Sequence, residues 1–224
     1  LGMCVYFDDF HLPVGGELFV ESLEGAFDVV YREGPIDASE NNTHARWASG
    51  DIPGSVLKII YRQPSTAVGS ARLGIMGVGF FARSMDRGSE DCEVDVMCPE
   101  GDSWQCERDA VVRLRITQSG GIYYCSGAMV NNTERDCRQL LLSAFHCADA
   151  VEEDEWAYLK IRYNYEYLEC NNTVSVNSHT RTGVIQLTNS DDASNQSFSG
   201  SDFLLVEVED PIPATWNPFY AGFD

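Results

Sequence analysis

The sequence has few basic residues and no long apolar run, and both shortages exclude classes of function. Of its 224 residues, 15 are Lys or Arg and 35 are Asp or Glu, so the formal net charge is −20. A chain this acidic repels phosphate backbones and anionic lipid surfaces, which excludes nucleic acid as a partner. No stretch approaches the roughly 18–20 apolar residues of a membrane span, and the N-terminus lacks a basic start followed by an apolar core. We therefore expect a mature, soluble piece of protein.

Zinc-ligand spacing is also absent from the eight cysteines. No Cys-x-x-Cys pair occurs and the intervals between cysteines are irregular, so we expect neither a metal cluster nor a cofactor. The sequence instead combines its cysteines with Asn-x-Ser/Thr sequons, which lie at Asn41, Asn131, Asn171 and Asn195. This combination favours an oxidising, extracellular compartment, and the four asparagines are candidate glycosylation sites.

Short β-type runs separated by Pro and Gly turns make up the N-terminal part of the chain. The runs are Leu18–Glu21, Ala26–Tyr31, Val56–Arg62 and Ala71–Phe81. They predict a β-sandwich over residues 1–83. The polar segment 84–91 that follows has no pattern to bury, so it predicts a linker between two domains.

The β-type pattern continues through residues 92–224, and here the cysteines crowd together. The apolar runs are Val111–Ile116, Ile122–Val130, Gln139–Ala144, Ala157–Tyr167, Gly183–Thr188 and Asp202–Val208. Strands of this kind without a helical period predict a closed antiparallel barrel. The acidic run 152–155 and the polar stretch 189–201 are predicted to be solvated loops.

His146 ends one of these apolar strands, where a lone histidine is more often structural than catalytic. Three features favour a catalytic role. A strand end holds an imidazole in one orientation, as a general base requires. Cys147 can pair with Cys125, which would close a loop worth about 3 kcal/mol in the chain-entropy model. Asp202, which alone would be an ordinary carboxylate at a strand start, heads another apolar strand and could be buried against the imidazole.

The segment Ser143–Cys147 reads SAFHC and resembles the Thr/Ser-Ala-x-His-Cys signature of trypsin-like serine proteases. Further blocks resemble the secreted lysyl endopeptidase-like branch in the same order; they are Cys92–Asp102, Cys125–Thr133, Ser201–Leu205 and Phe219–Asp224. The N-terminal part resembles the pro-region of that family, over Phe10–Leu18 and Leu73–Phe80. The resemblance covers nearly the whole chain.

This resemblance implies a chymotrypsin-like fold in which residues 92–224 form the first Greek-key barrel of a serine endopeptidase. It implies that His146 is the general base and that Asp202 holds and stabilises its imidazolium. A preference for lysine or arginine substrates is a further implication of the family.

The resemblance also implies a set of disulfides. The pairs are Cys125–Cys147 and Cys98–Cys170, with Cys92 bonded to a cysteine of a second barrel that this sequence does not contain. Three cysteines fall outside the pattern. Of these, Cys106 and Cys137 could pair with each other, and Cys4 has no assigned partner.

The sequence departs from the family in lacking a serine after Asp202. In this fold the nucleophile follows the aspartate, in a Gly-x-Ser-Gly-type turn that also forms the oxyanion hole. Ser197, Ser199 and Ser201 precede Asp202 in a polar loop and are interpreted as loop residues.

Several interpretations of the whole protein stay open. In the first, a C-terminal protease half on a separate or missing chain supplies the serine, and the assembly cleaves protein or peptide substrates. In the second, the chain is a catalytically inactive protease-fold component of an extracellular assembly. Arg83 and Arg87 fit either the maturation site of a zymogen or a linker that is never cut. A calcium-binding module built on the acidic loops is a third interpretation.

Overall fold

The computed structural model describes residues 2–24, 28–81, 94–134, 136–171, 178–190 and 200–222. The chain divides into two compact units, residues 1–87 and 88–224. Strands dominate both units, which confirms the predicted all-β class. The predicted linker 84–91 lies outside the described residues. Among the helices within the described ranges, none is long and apolar enough to cross a membrane.

The N-terminal unit contains two β-sheets. Its strands are β1 Gly2–His11, β2 Glu17–Glu24, β3 Asp28–Ile36, β4 Trp47–Ala48, β5 Ile52–Pro53, β6 Leu57–Arg62 and β7 Arg72–Phe81, and a 3-10 helix spans Ala38–Glu40. In the first sheet, β1 pairs antiparallel with β4, β5 and β7; in the second, β2 lies between β3 and β6. The two sheets share one apolar core, as in the predicted sandwich.

Aromatic side chains fill much of that core. The rings of Phe10 and Trp47 stack with centroids 5.2 Å apart, and Phe7 lies 5.8 Å from Trp47. Leu18 and Val20 reach the same cluster from β2. Each such side chain contributes about 1.5–3 kcal/mol to folding through its removal from water. Buried apolar residues of β1 and β2 therefore form much of the core of the sandwich.

Strand β1 is not predicted from the sequence, although it makes the most pairings in its sheet. Its residues Met3–Phe7 are consecutive, apolar and buried, so the strand lacks the period-two pattern of a half-buried strand. Irregularities in the pairing of β1 with β7, between Tyr6 and Phe7 and between Phe7 and Asp9, shift the register there. Both aspartates of the strand are exposed as a result, and Phe10 returns to the core.

Asn41, a predicted glycosylation site, bridges to the backbone of a buried residue. Its Oδ1 accepts the Leu12 N–H and its Nδ2 donates to the Leu12 carbonyl, both at 2.8 Å. Without the amide, the N–H and carbonyl of Leu12 lose their hydrogen-bond partners. Asn41→Ala is therefore expected to lower the free energy of unfolding by about 1–3 kcal/mol, measured by urea denaturation. Asn131→Ala, at an exposed sequon, is the control and is expected to change it by less than about 0.5 kcal/mol. Equal stability of the two variants would contradict the prediction.

The second unit contains a short helix and a single large sheet. The elements are α1 Gln105–Ala110, β8 Val111–Gln118, β9 Gly121–Val130, β10 Leu140–Ala144, β11 Lys160–Tyr163, β12 His179–Thr182, β13 Val184–Asn189 and β14 Phe203–Val208. Single 3-10 turns span Pro99–Gly101, Phe145–Cys147, Trp156–Tyr158 and Ala214–Trp216.

The sheet curls because its first and last strands are consecutive in the chain. The strand order is β12-β11-β8-β9-β10-β14-β13. Only Gly183 separates β12 from β13, and its φ of 98° bends the chain in a region that favours glycine. The Gly183 N–H donates to the Leu159 carbonyl at 2.9 Å, so the bend is anchored. The continuous segment β12–β13 thus forms both ends of the sheet, because β12 pairs with β11 and β13 pairs with β14. This closure agrees with the predicted chymotrypsin-like barrel.

Alternate side chains of the strands fill the barrel. Val112, Leu114 and Ile116 of β8 point into the core. On the other face of the strand, Arg113 and Thr117 are partly exposed and Arg115 is buried. This is the period of two that a half-buried strand produces. The core is closed in part by the chain after β14, from which Ile212, Trp216 and Tyr220 pack against it.

The prediction of a single strand over Ala157–Tyr167 is wrong in extent. Residues 156–158 form a 3-10 turn, and the strand proper is limited to Lys160–Tyr163. Asn164 has a φ of 53°, which ends the extended conformation, and the side chain of Tyr165 is 42% exposed instead of following the inward face. Helix α1 and strand β12 are also not predicted, because each is too short to show a period.

Candidate active site

Strand pairing brings His146 and Asp202 together across 56 residues of sequence. The antiparallel pairing of β10 with β14 ends where Ala144 lies opposite Phe203. Continuing that register by one step puts Phe145 opposite Asp202, and the Phe145 N–H donates to the Asp202 carbonyl at 3.0 Å. His146 is the next residue. The site is therefore a direct consequence of strand register.

Both carboxylate oxygens of Asp202 contact His146. Oδ1 accepts the backbone N–H of His146 at 2.9 Å, and Oδ2 lies 2.5 Å from the ring nitrogen Nδ1. Asp202 has a φ of 47°, in the left-handed region that Asp adopts more readily than most residues. This turn just before β14 presents the carboxylate to both donors at once.

Hydrogen bonding holds Asp202 in its charged form. The side-chain hydrogen bond from His146, followed by that from the His146 backbone, lowers the pKa of Asp202 below its ordinary value. Because folding lowers this pKa, the interaction stabilises the fold above the unfolded pKa of about 3.9 and is lost as the pH falls through the folded value. An ionised carboxylate only accepts hydrogen bonds. The proton of neutral His146 is therefore on Nδ1, which leaves the lone pair on Nε2.

The imidazole is accessible. The side chain of His146 is 50% exposed and that of Asp202 is 41% exposed. Nε2 lies 3.7 Å from the Cys147 sulfur, beside the disulfide. The arrangement thus offers an oriented base whose reactive nitrogen a substrate or a nucleophile can reach.

Among the described residues of this unit there are two disulfides, and they join the pairs that the family resemblance implies. One links Cys125 in β9 to Cys147, so it attaches the residue after His146 to a central strand of the sheet. The other links Cys98 to Cys170. Cys92 lies outside the described residues.

Three further cysteines of the described chain are free thiols. Cys4 is buried in the sandwich, whereas Cys106 and Cys137 are exposed and are not joined to each other. The pairing considered for the last two is not formed in this structure.

A buried amide supports the segment after His146. Gln118, which is 6% exposed, donates from Nε2 to the Cys147 carbonyl at 3.3 Å and accepts the Ala150 N–H at 3.2 Å. Ser143 donates from Oγ to the Ser126 carbonyl at 2.8 Å and so ties β10 to β9. Gln118 is not identified from the sequence, because a lone Gln in a strand carries no motif, whereas Ser143 belongs to the SAFHC segment.

Potential metal ligands converge at this site as well. In the part of the chain that the structure describes, the ligand atoms of Cys125, His146 and Cys147 lie within 4.8 Å of one another. The disulfide joins the two sulfurs, and a metal requires thiolates, so the trio does not fit a metal. The acidic run 152–155 forms a turn in which the Glu155 carboxylate accepts the Glu152 N–H at 2.9 Å.

The remaining predicted residues are scattered or undescribed. Asn131 and Asn171 are exposed. Ser201 is an exposed loop residue directly before Asp202. Those that lie outside the described residues are Arg83, Arg87, Asn195, Ser197 and Ser199.

A curled antiparallel sheet of this order, with a His–Asp pair where two of its strands meet, defines the chymotrypsin-like class of fold. Residues 87–224 match the family model described as the C-terminal domain of lysyl endopeptidase, and the chain belongs to this family. A lysyl endopeptidase of Pseudomonas aeruginosa is 27% identical over an alignment of 216 positions, which covers 89% of this chain and 44% of that relative. The chain thus spans less than half the length of this relative. The homology is to proteases of the serine type.

Proposed function

We propose that this chain supplies the general base and its orienting carboxylate to a secreted serine endopeptidase. The contact of 2.5 Å between His146 Nδ1 and Asp202 Oδ2 carries the proposal, together with the His146 N–H on the other carboxylate oxygen. These two bonds leave the ring a single orientation and a single tautomer. A general base needs both, because its lone pair must face the nucleophile before the reaction begins.

The chemistry is acyl transfer. His146 Nε2 takes the proton of a serine hydroxyl as its oxygen bonds to the peptide carbonyl carbon. It returns that proton to the leaving amine as the C–N bond breaks, which leaves an acyl-enzyme. The same nitrogen then activates water, whose attack releases the acid and restores the serine. Asp202 stabilises the transient imidazolium, since its lowered pKa keeps it charged throughout.

The nucleophile belongs to a C-terminal half outside these 224 residues. No serine follows Asp202 in this sequence, and the chain spans 44% of its Pseudomonas relative. In this proposal the other half, on the same or a separate polypeptide, provides the serine, the oxyanion hole and the specificity pocket, and Cys92 forms a disulfide to it. Residues 1–83 then act as a pro-region, which makes the whole protein a zymogen.

The substrates are proteins or peptides cleaved after lysine or arginine. The Pseudomonas relative is a lysyl endopeptidase, which supports a basic residue at the cleaved bond. The net charge of −20 supports it independently, because the field of an acidic protein attracts cationic segments. The two disulfides are typical of proteins exported to an oxidising compartment, where exposed Asn131 and Asn171 are accessible for glycosylation.

Covalent labelling tests the catalytic assignment. The full-length protein, meaning this chain with the polypeptide that accompanies it in nature, is expected to react with a fluorophosphonate probe on a serine outside residues 1–224. Labelling of His146→Ala is expected to fall to the background of heat-denatured protein, because the serine then lacks its base. His11→Ala, which removes an imidazole from the sandwich, is the control and is expected to label normally.

Two results would contradict the proposal. Labelling of His146→Ala at the wild-type rate would remove His146 from the mechanism. A folded full-length protein that never labels and contains no Gly-x-Ser-Gly segment would instead favour the catalytically inactive binding component.

A further inference from the structure

Two arginines lie directly opposite each other on the outer face of the barrel. Arg113 of β8 pairs with Arg162 of β11 in the antiparallel register. Their sequence neighbours Leu114 and Ile161 face the core, so the two guanidinium groups share the other face of the sheet. Like charges placed opposite each other destabilise a sheet. A pair of this kind therefore calls for a compensating interaction.

Tyrosine rings provide part of that compensation. The Arg113 guanidinium carbon lies 4.2 Å from the Tyr124 ring centroid and 4.6 Å from that of Tyr165. Arg162 lies 5.2 Å from the same Tyr165 ring. A guanidinium stacked on an aromatic face keeps its N–H donors in its own plane, where they stay available to an acceptor. Arg113 is thus held in place without its hydrogen-bonding capacity being used.

Neither arginine pairs with a carboxylate among the described residues. This is unexpected in a chain with 35 acidic and 15 basic residues. Other arginines do find carboxylates; the pairs are Arg32–Glu21, Arg72–Asp9, Arg108–Asp109 and Arg138–Glu207. The Arg113–Arg162 pair is therefore a local positive site on an acidic protein.

This positive site borders an open groove on the outer face of the sheet. Arg113, Tyr124 and Tyr165 line the groove together with Cys125 and Ser126, and its volume is about 320 Å³. Such a volume accommodates an amino-acid side chain. Cys125 forms the disulfide to Cys147, the residue after His146, and its side chain faces the core opposite Leu114. A ligand in the groove is therefore separated from the proposed base by the width of strand β9.

We propose that this groove is a subsite for an acidic side chain of the polypeptide substrate, and the proposal rests on the endopeptidase function proposed above. The carboxylate of Asp or Glu, a few residues from the scissile bond, accepts hydrogen bonds from Arg113, and Arg162 adds charge. A carboxylate fits the planar fork of a guanidinium bidentately. Free anions are repelled by the net charge of −20, whereas a peptide that also carries the basic residue at the cleaved bond is attracted.

Peptide cleavage by the full-length protein tests this subsite. The substrates are fluorogenic peptides with one lysine. In each pair of peptides, Glu or Gln occupies one of the three positions before or after that lysine. We expect kcat/KM to be about tenfold higher for Glu than for Gln at one position, the size of one charge-assisted hydrogen bond. Arg113→Gln is expected to bring that ratio to about 1. Arg72→Gln removes an equal charge from the N-terminal unit and is expected to keep the wild-type ratio.

Arg113→Lys distinguishes geometry from charge, since lysine keeps the charge but lacks the planar fork. For this variant we expect the ratio of kcat/KM between the Glu and Gln peptides to be about threefold or less. Its circular dichroism spectrum is expected to be like that of the wild type. A ratio of about 1 at all positions in an active wild-type enzyme would overturn the subsite and leave the proposed function intact.

Binding distinguishes the two proposals if no peptide is cleaved. The Glu and Gln peptides are titrated into the full-length protein by calorimetry. If the Glu peptide binds about tenfold more tightly and Arg113→Gln abolishes this difference, the carboxylate site is supported while the endopeptidase function fails. Equal binding of the two peptides would overturn the site.

Discussion

Asp202→Asn in the full-length protein is expected to lower kcat about 10⁴-fold and to change KM by less than about threefold. The reason lies in the two hydrogen bonds of the carboxylate. One oxygen already accepts the His146 backbone N–H at 2.9 Å, so the amide oxygen of Asn takes that place. The amide NH₂ then faces Nδ1, where the carboxylate oxygen stood at 2.5 Å. Because the amide NH₂ is a hydrogen-bond donor, Nδ1 must be unprotonated to accept from it. The ring proton then lies on Nε2, and the lone pair that acts as the base is lost.

Loss of charge acts in the same direction. Asp202 is ionised because hydrogen bonds from His146 lower its pKa, and the neutral amide cannot stabilise an imidazolium. Asp136→Asn is a matched control, since Asp136 is an exposed aspartate whose pKa is lowered by hydrogen bonds from the Asn132 side chain and the Arg138 backbone, away from His146. It is expected to keep kcat within about twofold. An Asp202→Asn enzyme with more than a tenth of the wild-type kcat would show that Asp202 does not orient the base.

Replacing Cys125 and Cys147 together by serine is expected to lower the free energy of unfolding by about 3 kcal/mol. The disulfide closes a loop between residues 22 apart in sequence. Its loss raises the conformational entropy of the unfolded chain. Urea denaturation monitored by tryptophan fluorescence under non-reducing conditions measures the change. Activity is expected to fall further than stability alone explains, because the residue after His146 is then no longer attached to β9.

The double variant Cys106→Ser/Cys137→Ser is the control for that experiment. Both thiols are exposed and form no disulfide among the described residues, so the expected change is within about 0.5 kcal/mol. A Cys125→Ser/Cys147→Ser protein as stable as this control would mean that the bond adds no net stability.

Two of the strands predicted from the sequence agree closely with those observed. Val111–Ile116 lies within the observed Val111–Gln118, and Asp202–Val208 differs by one residue from Phe203–Val208. β1 was missed because its buried residues Met3–Phe7 are consecutive and show no period of two, and β12 because four residues are too few to show one. Local pattern thus predicts a strand only where the chain itself shows which face is buried.

The candidate site divides in the same way. His146 and Asp202 could be selected from sequence because each ends or begins an apolar run within a recognisable segment. Gln118, which donates to the Cys147 carbonyl, could not be found, since its partners are 29 and 32 residues away. The groove beside Arg113 was equally hidden, because it depends on a tyrosine from β9 and another that follows β11.

The amino-acid sequence by itself determined the all-β class, the acidic field and the residue types available for catalysis, since composition and period are properties of the chain alone. It also determined that no serine follows Asp202. Tertiary structure decided which of those residues meet. The register of β10 against β14 brings the Asp202 carboxylate into contact with the His146 imidazole, 56 residues away in sequence. The pairing of β8 with β11 places Arg113 beside Arg162. Such contacts depend on register, because a shift of one residue would turn every side chain to the opposite face.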